Sequence, residues 1–229
     1  LLLQTAARDK EINPYYRDIC KINIDSGVII PIISGCFDHL VESPKKGFRT
    51  VNRSAFKIDS ADINGVSPFG EYIVTTYSRV DTPPVTVLVN RHGHNILILE
   101  TADTYNLPTG WHWPEPVKLK AGDNHTDIYG VIFRPSHFSP DKHYPIIDFV
   151  GGLRCANITP VGSFSNSHFT NYYDMAALAE LGFIVVGIIG RGTPLRDKRF
   201  HDHGFGKPGL EDDLVDHIVG IRQLSERYS

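Results

Sequence analysis

Two His-x-His pairs, His92/His94 and His201/His203, are the first residues in this sequence whose spacing could do chemistry. On an extended chain, imidazoles two apart share a face and can chelate a metal. Each pair lies in a turn-like stretch, and no acidic or thiol ligand stands nearby at helical spacing. Surface-loop histidines are the favoured reading, and no metal or cofactor is assigned. A serine nucleophile needs a different frame. The elbow motif Gly-x-Ser-x-Gly lies between a strand and a helix, because small residues permit its strained turn. No such pentapeptide occurs. Gly65-Val-Ser67-Pro-Phe-Gly70 has one residue too many and precedes a strand pattern, so it reads as a β-turn, and Gly162-Ser163 reads as loop. Gly190-Arg191-Gly192 follows a strand pattern, as a phosphate-cradling turn would. It lacks Gly-x-Gly-x-x-Gly and a helix opening directly behind it, and reads as a tight turn with a structural arginine.

The elements that must position these residues fall into two groups. From residue 15 to about 112 the pattern is all-β. Ile19 to Ile24 alternates, Asp25-Ser26-Gly27 turns, and Val28 to Ile33 returns. Tyr72 to Tyr77 is a β-branched and aromatic strand, Thr82-Pro-Pro84 is expected to break it, and Val85 to Val89 resumes. Arg91 to His94 turns and Ile96 to Leu99 closes the set. Short strands between turn clusters suit a sandwich or propeller blades. A blade takes about 40–45 residues, so roughly one hundred residues hold two at most, too few to close a ring.

Thr104 to Pro116, rich in Pro, Gly and Trp, reads as the domain boundary. Beyond it, Glu115 to Lys120 and Asp127 to Phe133 form a hairpin around Gly122-Asp-Asn124. Tyr144 to Val150 is a strand run stopping at Gly151-Gly152, Asp174 to Leu181 a helix closed by Gly182, and Phe183 to Ile189 a second strand. Glu211 to Arg227 is a further helix, with Leu214, Ile218, Ile221 and Leu224 as its apolar stripe. Acids at its start, Glu211 to Asp213, and Arg222 and Arg227 near its end suit the helix dipole, so it reads as a packing helix. Strand, helix, strand, helix is the grammar of a parallel sheet.

The 229 residues are 41% hydrophobic and 21% charged, with a net charge of −3, as in an ordinary globular protein. No clustered basic face argues for nucleic acid or an anionic membrane, and no apolar run reaches membrane-span length. Cys20, Cys36 and Cys155 are an odd set, which argues against a fully paired framework. Buried free thiols are favoured, with a Cys20–Cys36 pair the alternative. Sequons at Asn52, Asn124 and Asn157 carry little weight. There is no initiator Met, and both ends read as cut.

Four stretches resemble the dipeptidyl peptidase IV branch of the prolyl oligopeptidase family. They are Tyr77-Ser-Arg-Val-Asp-Thr-Pro-Pro-Val85; Trp113-Pro-Glu-Pro116 through Tyr129-Gly-Val-Ile-Phe-Arg-Pro135; Tyr144-Pro145 through Gly152; and Gly190-Arg-Gly-Thr-Pro194 through Phe200-His-Asp202 and Gly204-Phe-Gly206. The resemblance implies a β-propeller covering an α/β-hydrolase domain that removes N-terminal dipeptides after proline or alanine. Ser, His, Asp and an oxyanion hole would carry the acyl transfer. Residues 1–112 would be the C-terminal part of the propeller-like domain, and 113–229 the N-terminal half of the peptidase domain. The fold expected is therefore a β-propeller remnant followed by a truncated α/β-hydrolase domain. The resemblance further implies a peptide substrate in the complete enzyme, no cofactor, no nucleic-acid or evident membrane partner, a homodimer, and a periplasmic or secreted location.

Three departures qualify that picture. The triad is expected beyond Ser229, and the paired glutamates that grip a substrate amine belong to an earlier propeller segment. The family's oxyanion-stabilising Tyr has its place at Val150, which has no hydroxyl; Leu153 replaces a favoured Pro, and Ile189 an acidic residue. Losing one oxyanion donor typically costs about a hundred- to a thousandfold in rate. The chain alone is expected to be inert and, lacking a central strand, to fold poorly. A non-catalytic β-rich binding module, or the remnant of a decayed gene, is the competing reading.

Overall fold

Short alternating strands build two stacked antiparallel sheets. In the computed structural model, which describes residues 1–41, 65–150, 158–164, 166–167, 170–204 and 211–227, β1 (Leu2–Ala6), β2 (Arg17–Ile22) and β3 (Ile29–Ile33) form the first. β4 (Asp38–Val41), β5 (Tyr72–Arg79), β6 (Thr82–Asn90) and β7 (Asn95–Thr101) follow one another across the second. Ile19 from β2 packs with Ile73, Val87 and Val89 from β5 and β6, all buried. Arg17 bridges the sheets: its Nε and Nη2 donate to the buried Asp38 carboxylate at 2.8 and 2.6 Å. β1 and β4 are strands that hydrophobic pattern alone does not reveal. Thr82-Pro-Pro84 does not break the ladder. It opens β6 beside a bulge at Tyr77/Arg79, where a missing N–H is tolerated. β7 ends its sheet with every residue exposed.

His39 on β4 shows what burial does to a titrating side chain. Burial pushes its imidazole below the ordinary histidine range, against the pull of Asp38, and Nδ1 has no hydrogen-bond partner among the described residues. The unfolded chain therefore binds this proton at higher pH than the folded one. The stabilisation is complete above the unfolded value of about 6.5 and is lost as pH falls through the folded value. We expect the melting temperature to decline on acidification from neutrality, and His39→Leu to flatten that decline; a pH series of thermal melts checks it.

The third sheet holds β8 (Glu115–Lys120), β9 (Asp127–Phe133), β10 (Ile146–Asp148) and β13 (Ile184–Ile189), in the order β10-β13-β9-β8. β11 (Asn166–Ser167) and β12 (Thr170–Asn171) make a small hairpin before α1 (Tyr172–Glu180). α2 (Lys198–His201) and α3 (Glu211–Arg227) complete the elements. β8–β9 and β9–β13 pair antiparallel, whereas β10 and β13, joined through α1, run parallel. The alternation along β9 and β13 feeds two cores. Ile128, Ile132, Val186 and Ile188 face Leu224 of α3 on one side. Val131, Phe133 and Val185 face Tyr172, Met175 and Ala179 of α1 on the other.

Two expectations need correction here. The run Tyr144 to Val150 yields only three residues of strand, because β10 has a single neighbour, β13, to pair with among the described strands. The stripe assigned to α3 is also displaced. Leu214 and Ile218 are 36% and 50% exposed, whereas Asp216, His217 and Leu224 are buried, and so is Gly220. Polar partners beneath the helix decide its rotation, and Gly220 lets it lie close to Ile188. Of the cysteines, Cys20 is a buried free thiol and Cys36 an exposed one. Asn52, Gly151-Gly152, Leu153, Cys155, Asn157 and Phe205-Gly206 lie outside the described residues, as do the side chains of Glu211 to Asp213.

Candidate functional site

The parallel strands β10 and β13 send their carboxyl ends to the same edge of the third sheet. In open α/β sheets this is where ligands bind, because the loops leaving parallel strands diverge there. The loops are Phe149-Val150 after β10 and Gly190 to Thr193 after β13. Gly192 takes a φ of 98°, which favours glycine, and its N–H donates to the Phe200 carbonyl at 2.9 Å.

Arg191 is the centre of this turn. Its Nη2 lies 2.7 Å from Asp216 Oδ1 and its Nε 3.0 Å from Oδ2. The backbone N–H of Arg191 donates to Oδ2 at 2.8 Å, and that of Gly122 to Oδ1 at 2.9 Å. Asp216 is fully buried, and these donors compensate its charge. Arg191 Nη1 also reaches Asp123 Oδ2 at 2.9 Å. Desolvation pushes the Asp123 carboxyl up, but bonds from Thr126 and His125 and the Arg191 charge outweigh it and hold it well below the usual range. One arginine thus ties α3, the turn after β13 and the β8–β9 turn together.

A second polar pair holds the other strand. His217 Nδ1 lies 2.8 and 3.0 Å from the two carboxylate oxygens of Asp148, the last residue of β10. At 2% exposure the ring is sealed from solvent. A general base must reach its substrate, so this pair is structural in position despite its resemblance to an Asp–His dyad.

The first sheet also reaches the site. Asn13 to Tyr16 makes a turn, with Tyr16 N–H donating to the Asn13 carbonyl at 3.0 Å. Tyr15 is 1% exposed and packs edge-on to Tyr129, with Ile189 in the same cluster. Its hydroxyl lies 3.5 Å from Thr193 Oγ1. Burial pushes this hydroxyl up to about 12, although Thr193 and Arg196 pull it down. A small cleft beside it is lined by Asn13, Tyr16, Val80, Tyr129, Thr159 and Ile189.

The other sequence candidates lie apart or are occupied. His92 and His94 sit exposed in the β6–β7 turn with ring centroids 6.3 Å apart. His201 is exposed on α2, and no three His, Cys, Asp or Glu groups among the described residues converge as metal ligands. Ser163 is buried and donates to the Thr82 carbonyl at 2.5 Å, and Ser67 Oγ accepts from Tyr72 N–H at 3.0 Å. Sequence reasoning missed Asp148, Asp216 and His217. The available signals were an acid inside an apolar strand run and the spacing Asp216, Gly220, Leu224 along one helical face.

Comparison with known proteins gives these residues a context. No family model matches the chain. Human dipeptidyl peptidase 8 is 30% identical over 103 residues, 44% of this chain and 11% of that protein. A probable dipeptidyl-aminopeptidase B of Aspergillus fumigatus is 28% identical over 132 residues, 53% of this chain and 13% of that one. The crystal structure of a dipeptidyl-aminopeptidase-IV-like protein from Bacteroides ovatus superposes over 98% of this chain and 27% of its own, with a TM-score of 0.68 and 21% identity. These similarities support membership of the dipeptidyl peptidase IV/prolyl oligopeptidase family. It spans about a tenth of the curated dipeptidyl peptidases it matches and about a quarter of the solved one. Val150 sits half-buried directly after β10 and Phe149. Ile189 is enclosed by Tyr15 and Tyr129, which leaves no room for a solvated charge.

Proposed function

We propose that this chain is part of a serine-type dipeptidyl peptidase. In this reading residues 1–112 supply the end of a β-propeller, and residues 113–229 the first half of an α/β-hydrolase domain. The observation that carries it is the third sheet. An antiparallel hairpin leads into two parallel strands joined through a helix, with α1 and α3 on opposite faces. This arrangement fits the opening of a doubly wound hydrolase sheet, and the edge of β10, unpaired among the described strands, is where a following nucleophile strand would pair. Support for the propeller is the four-stranded meander β4 to β7 packed on β1 to β3. The reaction is acyl transfer from a peptide with a free N-terminus, with the nucleophile, acid and base supplied outside these residues. The 229-residue chain alone is inert in this reading.

The test is expression of the gene with its flanking reading frame, followed by assay against dipeptide-proline chromogenic substrates and labelling by a serine-reactive phosphonate. Release of chromophore with labelling supports the reading; a complete protein that neither cleaves nor labels sinks it. Val150 favours a second reading, a non-catalytic member of the same family, because valine offers no oxyanion donor. A folded, unlabelled complete protein would decide for it.

A further inference from the structure

We infer that Asp148 and His217 are a positioning pair that fixes the backbone leaving β10. The importance of that backbone rests on the proposed hydrolase reading, whereas the pair's effect on it is testable by itself.

Among the described residues, β10 has little else to hold its end. It is three residues long and pairs with β13 at Ile146, Ile147 and Asp148, followed by one further bond, Phe149 N–H to the Val186 carbonyl at 2.8 Å. Ile147 and Phe149 pack into the α1-side core. Asp148 alternates with them and so faces α3. There the imidazole of His217 stands between its two oxygens, at 2.8 and 3.0 Å, which centres the ring on the carboxylate.

The neighbouring residue on the helix makes the arrangement a clamp. Asp216 holds the turn after β13 through Arg191, and His217 holds the end of β10. Adjacent residues of one helix therefore grip the carboxyl ends of two parallel strands. The separation of the two turns is set by a rigid helical backbone, not by a three-residue ladder. Sites shared between loops need such support, because productive geometry is held to about 0.5 Å. His217 is buried and Asp148 is 22% exposed, a pair that adds little net stability, so its gain lies in geometry. Sealed from solvent, the ring touches no substrate; His217 acts through the strand.

Residue-resolved amide exchange in the complete protein, with its flanking reading frame, tests this. His217→Ala should speed exchange of the Phe149 amide by about tenfold or more, with the β8–β9 hairpin still protected. His217→Asn, whose Nδ2 stands where the ring Nδ1 stood, should restore protection. Asp148→Asn keeps one acceptor and should show a smaller acceleration at Phe149, which is the reading to use where the alanine variant unfolds. Unchanged exchange at Phe149, acceleration spread evenly over the sheet, or no rescue by asparagine overturns the inference. Absence of peptidase activity in the complete protein would count against the proposed function only, and the exchange result would stand.

Discussion

Asp216→Ala should cost about 3–5 kcal/mol of folding stability, the largest loss expected of any single polar substitution here. The reason is what remains after the carboxylate is gone. Arg191, 11% exposed, keeps its charge and loses its bidentate partner, and the backbone N–H groups of Arg191 and Gly122 lose their acceptor. Urea unfolding with a fixed m-value measures the loss. Pairing it with Arg191→Met should recover much of the deficit, since an apolar pair carries no uncompensated charge. Additive losses in the double variant would mean that the two side chains act separately, contrary to the geometry.

Val150→Tyr carries the largest expected effect on chemistry. In the complete protein, on the peptidase reading, a tyrosine hydroxyl directly after β10 restores an oxyanion donor. kcat for a dipeptide-proline substrate should rise by about a hundred- to a thousandfold, with KM little changed. Steady-state kinetics on the two proteins checks it. A rise of less than about threefold would show that Val150 does not stand at the oxyanion position.

Some elements were legible because local pattern and tertiary fate agree. The hairpin Glu115–Lys120/Asp127–Phe133 and the helix Glu211–Arg227 have the bounds that alternation and periodicity suggest. Val117, Leu119 and Ala121 all turn inward, as one strand face should. The rotation of α3 was not legible, since an apolar count favours Leu214 and Ile218 as its buried face. The residues that decide it are two polar ones whose partners lie 25 and 69 positions away. β1 and β4 were hidden for a related reason: their pairing comes from distant neighbours, not from their own alternation. Tyr15 was invisible as a site neighbour because nothing in its local sequence points to Thr193.

That last contact joins residues 178 positions apart. Tyr15 is made before its pocket of Tyr129, Ile189 and Thr193, the last of which follows 178 positions later. Until then a bulky aromatic turn has no cover, and its seating must follow the local hairpins, because distant closure is slow. The N-terminal sheets are thus locked to the third sheet late. The junction between them reports that the third sheet has formed.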